Sequence, residues 1–210
     1  MLPVGPKPIL EHILDWLKAN GVQEVVIATG YLGRIIEQYF EDGSSFGLKV
    51  EYARSDSPLG HAGQLKSAES LLTDTFICLY GDAILDFDLR RLVSFHAEKR
   101  SFLTMALMEY ETKMKYGVID TAPDGKITNW REKPVVTSTI NVGCYVVDKR
   151  FLSYIPKGKI YGFKEAFMDA SKDGRALYGL KLKGTFTDIG DLSSHKEADR
   201  LYIERYGKIP

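Results

Sequence analysis

The chain has 210 residues, 44% of them hydrophobic and 27% charged, and its 28 basic residues balance 28 acidic ones. These proportions belong to a folded globular protein and exclude disordered and fibrous classes, while the neutral balance lacks the basic surplus of a nucleic-acid binder. No apolar run reaches the length of a membrane span, and the first residues lack the charged start and apolar core of a signal peptide. A cytoplasmic protein with no nucleic-acid and no membrane partner is the expectation.

The first half alternates helical and strand patterns. Ile9, Leu10, Ile13, Leu14 and Leu17 recur at helical spacing, and Gly21 follows as the residue just past a helix end. Val25 to Thr29 is a short β-branched run that reads as a buried strand. Ile35, Ile36, Tyr39 and Phe40 mark a second helix face. Leu48 to Ala53 reads as a strand, and Ala62, Leu65, Ala68 and Leu72 as a further helix. Phe76 to Tyr80 is another buried strand, running straight into Gly81 and Asp82. Leu89, Leu92, Val93 and His96 predict a helix ending near Arg100. Cys78 and Cys144, the two cysteines, sit inside apolar strand runs and read as reduced core thiols rather than as a disulfide or metal framework.

The second half is richer in hairpins. Phe102 to Tyr110, Tyr116 to Thr121, Ile127 to Glu132 and Ile140 to Asp148 read as strands, with turn chemistry at Pro123 to Lys126. A helix over Phe163 to Lys172, a strand over Leu177 to Lys181 and a closing helix from about Leu192 to Tyr206, capped by Asp191, complete the chain. Strands alternating with helices predict an α/β fold: a doubly wound, mostly parallel sheet with helices on both faces, followed by a smaller mixed sheet. In such sheets ligands bind beyond the carboxyl ends of the strands, so the loops at Gly30, Arg54 to Gly63 and Gly81 to Ala83 are the places for chemistry.

Asp82 follows an apolar strand and a glycine, which projects its carboxylate at that edge; the plain alternative is a turn or cap aspartate. Asp188, between a strand and the closing helix, is equally readable as a turn residue. Brought together, the two carboxylates would make a hard oxygen site suited to Mg2+. Glu132 and Lys133 end a strand as adjacent opposite charges: either a solvated strand end, or an acceptor for sugar hydroxyls beside a cation for phosphate. Asn141 and Gly143 open an otherwise apolar strand, where Asn141 suits a hydroxyl-rich ligand. Pro58-Leu-Gly-His-Ala-Gly63 leads into a helix, and its glycines permit close backbone approach to a base or phosphate. His61 in that loop, like His12, His96 and His195, reads as structural or exposed rather than catalytic. Asp86-Phe-Asp88 matches the Asp-x-Asp of metal-dependent glycosyltransferases, but its place at the start of a helix favours capping.

Taken in order, these phrases resemble the sugar-1-phosphate nucleotidyltransferase family. Leu2-Pro-Val-Gly-Pro-Lys-Pro-Ile9 is similar to the segment after that family's signature loop, and Pro58 to Gly63 to its Pro-Leu-Gly-Thr-Ala-Gly phrase. Tyr80-Gly-Asp82, Tyr116-Gly-Val118, Glu132-Lys-Pro134, Ile140-Asn-Val-Gly143 and Phe186-Thr-Asp-Ile-Gly190 match further motifs in the same order. The resemblance spans essentially the whole chain. It implies transfer of a nucleotidyl group from a nucleoside triphosphate to a sugar 1-phosphate, with release of pyrophosphate. Asp82 and Asp188 would hold Mg2+, and with Lys133 carry catalysis. Gly60, Gly81 and Asp82 would meet the nucleotide, and Gly117, Glu132, Lys133, Asn141 and Gly143 would line the sugar-phosphate pocket.

The implied organisation is one nucleotidyltransferase domain over 1–210, with a nucleotide-binding lobe at 1–100 and a sugar-phosphate lobe at 101–210. The Pro-Leu-Gly-x-Ala-Gly phrase leans towards mannose-1-phosphate guanylyltransferase, with glucose-1-phosphate thymidylyl- or uridylyltransferase and a non-catalytic nucleotide-sugar-binding relative as alternatives. Assembly as a homo-oligomer stays open. His61, Tyr80 and Phe186 depart from the family's usual threonine, asparagine and tryptophan. The family's central first strand and its Gly-Gly-x-Gly-Thr-Arg loop precede the position of Leu2. The expectation is therefore that the reading frame begins upstream, that Met1 is an internal methionine, and that the 210 residues alone turn over little.

Overall fold

The computed structural model describes residues 2–206, so the question raised about Met1 lies outside the described residues. Strands β1 (Pro3–Val4) and β2 (Lys7–Pro8) form a small antiparallel corner leading into helix α1 (Ile9–Ala19). The apolar stripe of α1 is buried through Ile9, Ile13, Leu14 and Leu17. Asn20 closes the helix and Gly21 follows at φ 89°, the left-handed turn that a glycine makes without steric cost.

Strand β3 (Glu24–Thr29), helix α2 (Gly33–Phe40) and strand β4 (Lys49–Arg54) make a βαβ unit, with β3 and β4 parallel and paired from Glu24 opposite Lys49 to Thr29 opposite Arg54. Helix α3 (Gly60–Ser67) is shorter than its apolar pattern suggests, because the chain tightens into a 3₁₀ turn at Glu69–Leu71 before strand β5 (Thr75–Leu79). Strand β6 (Ala83–Phe87) and helix α4 (Leu89–Lys99) follow. The carboxylate of Asp88 accepts a hydrogen bond from the Arg90 N–H at 3.1 Å and so caps α4, which is the capping role its position predicts. Asp86 instead lies in β6 opposite Thr185, so the two aspartates serve different elements.

The remaining elements are strands β7 (Leu103–Lys113), β8 (Val118–Thr121), β9 (Ile127–Arg131) and β10 (Val135–Asp148), helix α5 (Phe163–Lys172), strands β11 (Leu177–Lys181) and β12 (Gly184–Asp188), and helix α6 (Leu192–Tyr206). The largest sheet runs β11-β7-β10-β5. The α/β class stands, but this sheet is mixed rather than mostly parallel: β10 is antiparallel to both β5 and β7, and only β11 joins β7 in parallel.

Alternation along β10 sends Cys144 and Val146 into one apolar layer with α1, β6 and α4, and Tyr145 and Val147 into the other with α3 and α5. Each face of the sheet is thus covered, as period-two side-chain alternation requires of a strand buried on both sides. Cys78 and Cys144 are free thiols within these layers, and burial pushes the Cys78 thiol up to about 12. Sequence periodicity missed β6 and β12 as a pair. Their partners lie about a hundred residues apart, with Gly184 opposite Phe87 and Asp188 opposite Ala83.

The parallel pair β3–β4 and the strand β5 are separate in the hydrogen-bond pattern. An apolar cavity of about 600 Å³ lies between them, bounded by Val25 and Ile27 of β3, Phe76 and Ile77 of β5, and α1 and α3 at its sides. This is where the family resemblance puts a central strand.

Candidate active site

The carboxyl end of β5 builds the site. The Tyr80 N–H donates to the Gly143 carbonyl at 3.1 Å, extending the β5–β10 pairing by one residue. The chain then leaves the sheet at Gly81 and turns into β6 through Asp82. On the other side, β12 arrives antiparallel to β6 with Asp188 opposite Ala83, and the Ile189 N–H donates to the Asp82 carbonyl at 2.9 Å. Asp82 and Asp188 are thereby brought to one edge by backbone register, although 106 positions separate them in the chain. Both residues are exposed there. Asp188 Oδ1 accepts from the Gly190 N–H at 3.0 Å, which orients its carboxylate.

Among the described residues no group of three or more His, Cys, Asp or Glu gathers as a metal cage. Two exposed carboxylates are nevertheless a donor set magnesium accepts, since it keeps several waters and takes one or two protein carboxylates. The residues present therefore fit that ion.

Beside this edge stands a layer of rings. Gly143 has φ 73°, and a Cβ on it would lie 2.7 Å from the Tyr80 ring, so no side chain fits that position. Asn141 Oδ1 accepts from the Gly143 N–H at 3.0 Å, and its Nδ2 donates to the Tyr145 hydroxyl at 2.6 Å. The Tyr145 hydroxyl in turn donates to that of Tyr80 at 3.4 Å. Asn141 thus braces the bulge where the β7–β10 register shifts between Asn141 and Tyr145. Burial raises the pKa of both tyrosine hydroxyls, so they stay protonated and act as fixed hydrogen-bonding groups. The His61 ring packs on Tyr80 with centroids 4.6 Å apart, and Tyr145 stacks on Phe163 at 4.2 Å.

Gly60, at the start of α3, has φ 68°, and a Cβ there would come within 2.8 Å of the Tyr161 carbonyl oxygen. The glycine lets the segment before α5 close over α3, where the Ala62 N–H donates to Tyr161 O at 3.1 Å. The other histidines are engaged in the fold: His12 with Val4 O at 2.8 Å, His195 with Pro3 O at 2.6 Å and His96 with Thr104 Oγ1 at 3.0 Å.

Gly117, Glu132 and Lys133 form a second group, on the exposed ribbon that β7, β8, β9 and β10 make beyond the core. Glu132 Oε2 accepts from the Trp130 indole N–H at 3.1 Å, and Gly117 lies against both, a Cβ on it being 3.0 Å from each atom. Lys133 has φ 43° immediately before Pro134. A residue before proline is normally extended, and a side-chain-bearing residue in this region stores about 1–3 kcal/mol. No hydrogen bond or ion pair among the described residues joins this group to Asp82 or Asp188, and Lys133 stands eight positions before Asn141 in the chain. Trp130 and Tyr145 were not singled out from sequence. Strand alternation could have found both, because each shares a face with a named residue, Glu132 two positions on and Gly143 two positions back.

The nucleotidyl transferase family matches residues 1–205. The chain belongs to this family. Among curated nucleotidyl transferases it is similar to UTP–glucose-1-phosphate uridylyltransferase of Synechocystis, at 31% identity over 98% of this chain and 58% of that protein. It is similar to mannose-1-phosphate guanylyltransferase of Mycobacterium tuberculosis at 31% identity, over 90% of this chain and 54% of the relative. The chain thus spans somewhat over half the length of these curated relatives. Among solved structures, a putative glucose-1-phosphate thymidylyltransferase from Bacillus anthracis superposes with a TM-score of 0.75 at 26% identity, covering 95% of this chain and 84% of that one.

Proposed function

We propose that this chain forms the transfer site of a sugar-1-phosphate nucleotidyltransferase, with mannose 1-phosphate and GTP as substrates. The observation that carries this is the meeting of Asp82 and Asp188 at the carboxyl edge of β5 through the β6–β12 register. Two carboxylates at such an edge suit a metal-assisted phosphoryl reaction and have little use in a module that only binds a nucleotide sugar. A phosphate oxygen of the sugar 1-phosphate attacks the α-phosphorus of the nucleoside triphosphate, and the bond to the departing pyrophosphate breaks. Such a reaction needs little covalent help from the protein, so placement and charge neutralisation supply most of the acceleration. Asp82 and Asp188 would hold magnesium, which when bound neutralises charge on the phosphates.

In this reading the nucleotide lies along Gly60, Gly81 and Asp82 in the lobe at 1–100. The sugar phosphate lies along Gly117, Glu132, Lys133, Asn141 and Gly143 in the lobe at 101–210, where Glu132 accepts sugar hydroxyls and Lys133 pairs with phosphate. No described helix is long and apolar enough to cross a membrane, and we place the protein in the cytoplasm. The Pro-Leu-Gly-x-Ala-Gly phrase and the mycobacterial relative favour mannose and guanine. The cyanobacterial relative, of which this chain also covers more than half, keeps glucose 1-phosphate with UTP as the second reading. Calorimetric titration with GDP-mannose, UDP-glucose and dTDP-glucose in the presence of magnesium separates them. GDP-mannose binding tightest is the expected result; preference for UDP-glucose replaces the first reading by the second, and no binding by any of the three rejects both.

A further inference from the structure

We propose that the indole of Trp130 is the platform on which the sugar ring of the substrate rests, an inference that rests on the nucleotidyltransferase reading and adds a sugar-reading residue to it. Trp130 lies on β9 opposite Ile119 of β8, and Glu132, two positions on, projects from the same face. The two side chains are joined, the indole N–H donating to Glu132 Oε2 at 3.1 Å. Gly117 makes room for this bond: a Cβ on it would be 3.0 Å from both bonded atoms and 3.5 Å from Trp130 Cε2. The glycine, the indole and the carboxylate thus form one unit. Any ligand that meets the other oxygen of Glu132 also comes within reach of the indole.

The ring is oriented by the fold but not consumed by it. Trp130 is 66% exposed, and among the described residues its ring has no aromatic partner and no cation over it. Trp16, by contrast, donates to the Phe87 carbonyl at 3.2 Å and packs edge-on against the Phe87 ring at 5.0 Å. The bond to Glu132 holds the indole in place before a ligand arrives, which lowers the ordering cost of binding. Beyond that bond, Glu132 makes no hydrogen bond or ion pair among the described residues, and Lys133 makes no ion pair. The opposite face of the hairpin is closed on itself, Asp120 accepting from Asn129 Nδ2 and from Arg131, each at 3.1 Å. A pyranose has a face of C–H groups and a rim of hydroxyls. The flat, electron-rich face of an indole suits the first, and a carboxylate oxygen accepts from the second. A protein partner would call for a wider apolar patch than one ring bordered by two charges.

The test is calorimetric titration of GDP-mannose, UDP-glucose and dTDP-glucose, each beside its own nucleoside diphosphate and with magnesium, into the chain and its Trp130→Ala and Trp130→Phe variants. The position is exposed, so circular dichroism should find both variants folded. Trp130→Ala should weaken the tightest-bound nucleotide sugar at least tenfold and leave its nucleoside diphosphate within twofold. Trp130→Phe keeps a ring without the N–H and should lose less than threefold. Tryptophan emission should change as the nucleotide sugar binds the unaltered chain, and not when it binds Trp130→Phe, which retains only Trp16. Nucleotide-sugar affinity unchanged within twofold in Trp130→Ala, or an equal loss for the nucleoside diphosphate, would overturn the inference alone. Equal losses in the two variants would also overturn it, since they would leave Trp130 only the positioning of Glu132. An unaltered chain that binds none of the three nucleotide sugars would reject the nucleotidyltransferase reading and the inference with it.

Discussion

Strand β10 is one continuous strand with two unlike halves. From Val142 to Val147 every residue is buried, clamped between β5 and β7 and covered on both faces. From Val135 to Thr139 every residue is exposed, and the strand pairs with β7 alone. The inner half fixes the aspartate edge by register, hydrogen bonds and ring packing. The outer half follows directly on Glu132 to Pro134 and belongs to a ribbon whose exposed side chains include Trp130 and Tyr110. The difference teaches that two ends of one strand can be stabilised by opposite physical means, the inner half by burial on both faces and the outer half by pairing with β7 alone; in the proposed function the first would serve the phosphates and the second the sugar.

The contrast is broken most strongly at the core. Leu103→Ala, at a fully buried position of β7 beside the inner half of β10, should cost about 2–5 kcal/mol. Val136→Ala on the ribbon should stay within about 0.5 kcal/mol. Urea denaturation of the two variants gives both numbers, and equal losses would erase the distinction between the halves. Gly143→Ala should come next, at about 1–3 kcal/mol, because it forces a side chain into a left-handed conformation and against the Tyr80 ring. Tyr80→Ala in the same chain should recover part of that loss, so a double-mutant cycle that is strictly additive would argue against the contact.

The smallest expected effect lies behind Asp188. Asp191 Oδ1 accepts from the Ser193 and Ser194 N–H groups at 2.7 and 2.8 Å, capping α6. The Ser193 hydroxyl and these N–H groups hold its carboxyl down to about 2. A folded-state pKa below the unfolded value of about 3.9 stabilises the native state above that value, and the contribution is lost as pH falls through about 2. Asp191→Ala should therefore lower the melting temperature at pH 5 to 7 and by clearly less near pH 2, as read by scanning calorimetry. A decrement of the same size at both pH values would assign the effect to something other than the ionised cap.

The sequence made the helices of the first half legible because each carries an apolar stripe and a recognisable end, as at Leu17 and Gly21 or Asp88 and Arg100. It also placed Asp82 and Asp188 as candidates. It could not show that they meet, since the register joining Ala83 to Asp188 depends on two strands far apart in the chain with no local turn between them. Lys133 was named from its motif, but the left-handed backbone before Pro134 and the distance from Asn141 along the strand are properties of the folded ribbon.

The central claim is that Asp82 and Asp188 act as one divalent-cation site for nucleotidyl transfer. Water-proton relaxation with Mn2+ as a paramagnetic stand-in for magnesium, recorded with GDP-mannose present, tests it directly. One bound ion per chain, weakened at least tenfold in Asp82→Asn and equally in Asp188→Asn, is the predicted result. Mn2+ binding that survives either substitution unchanged would contradict a shared site and with it the account of the aspartate edge.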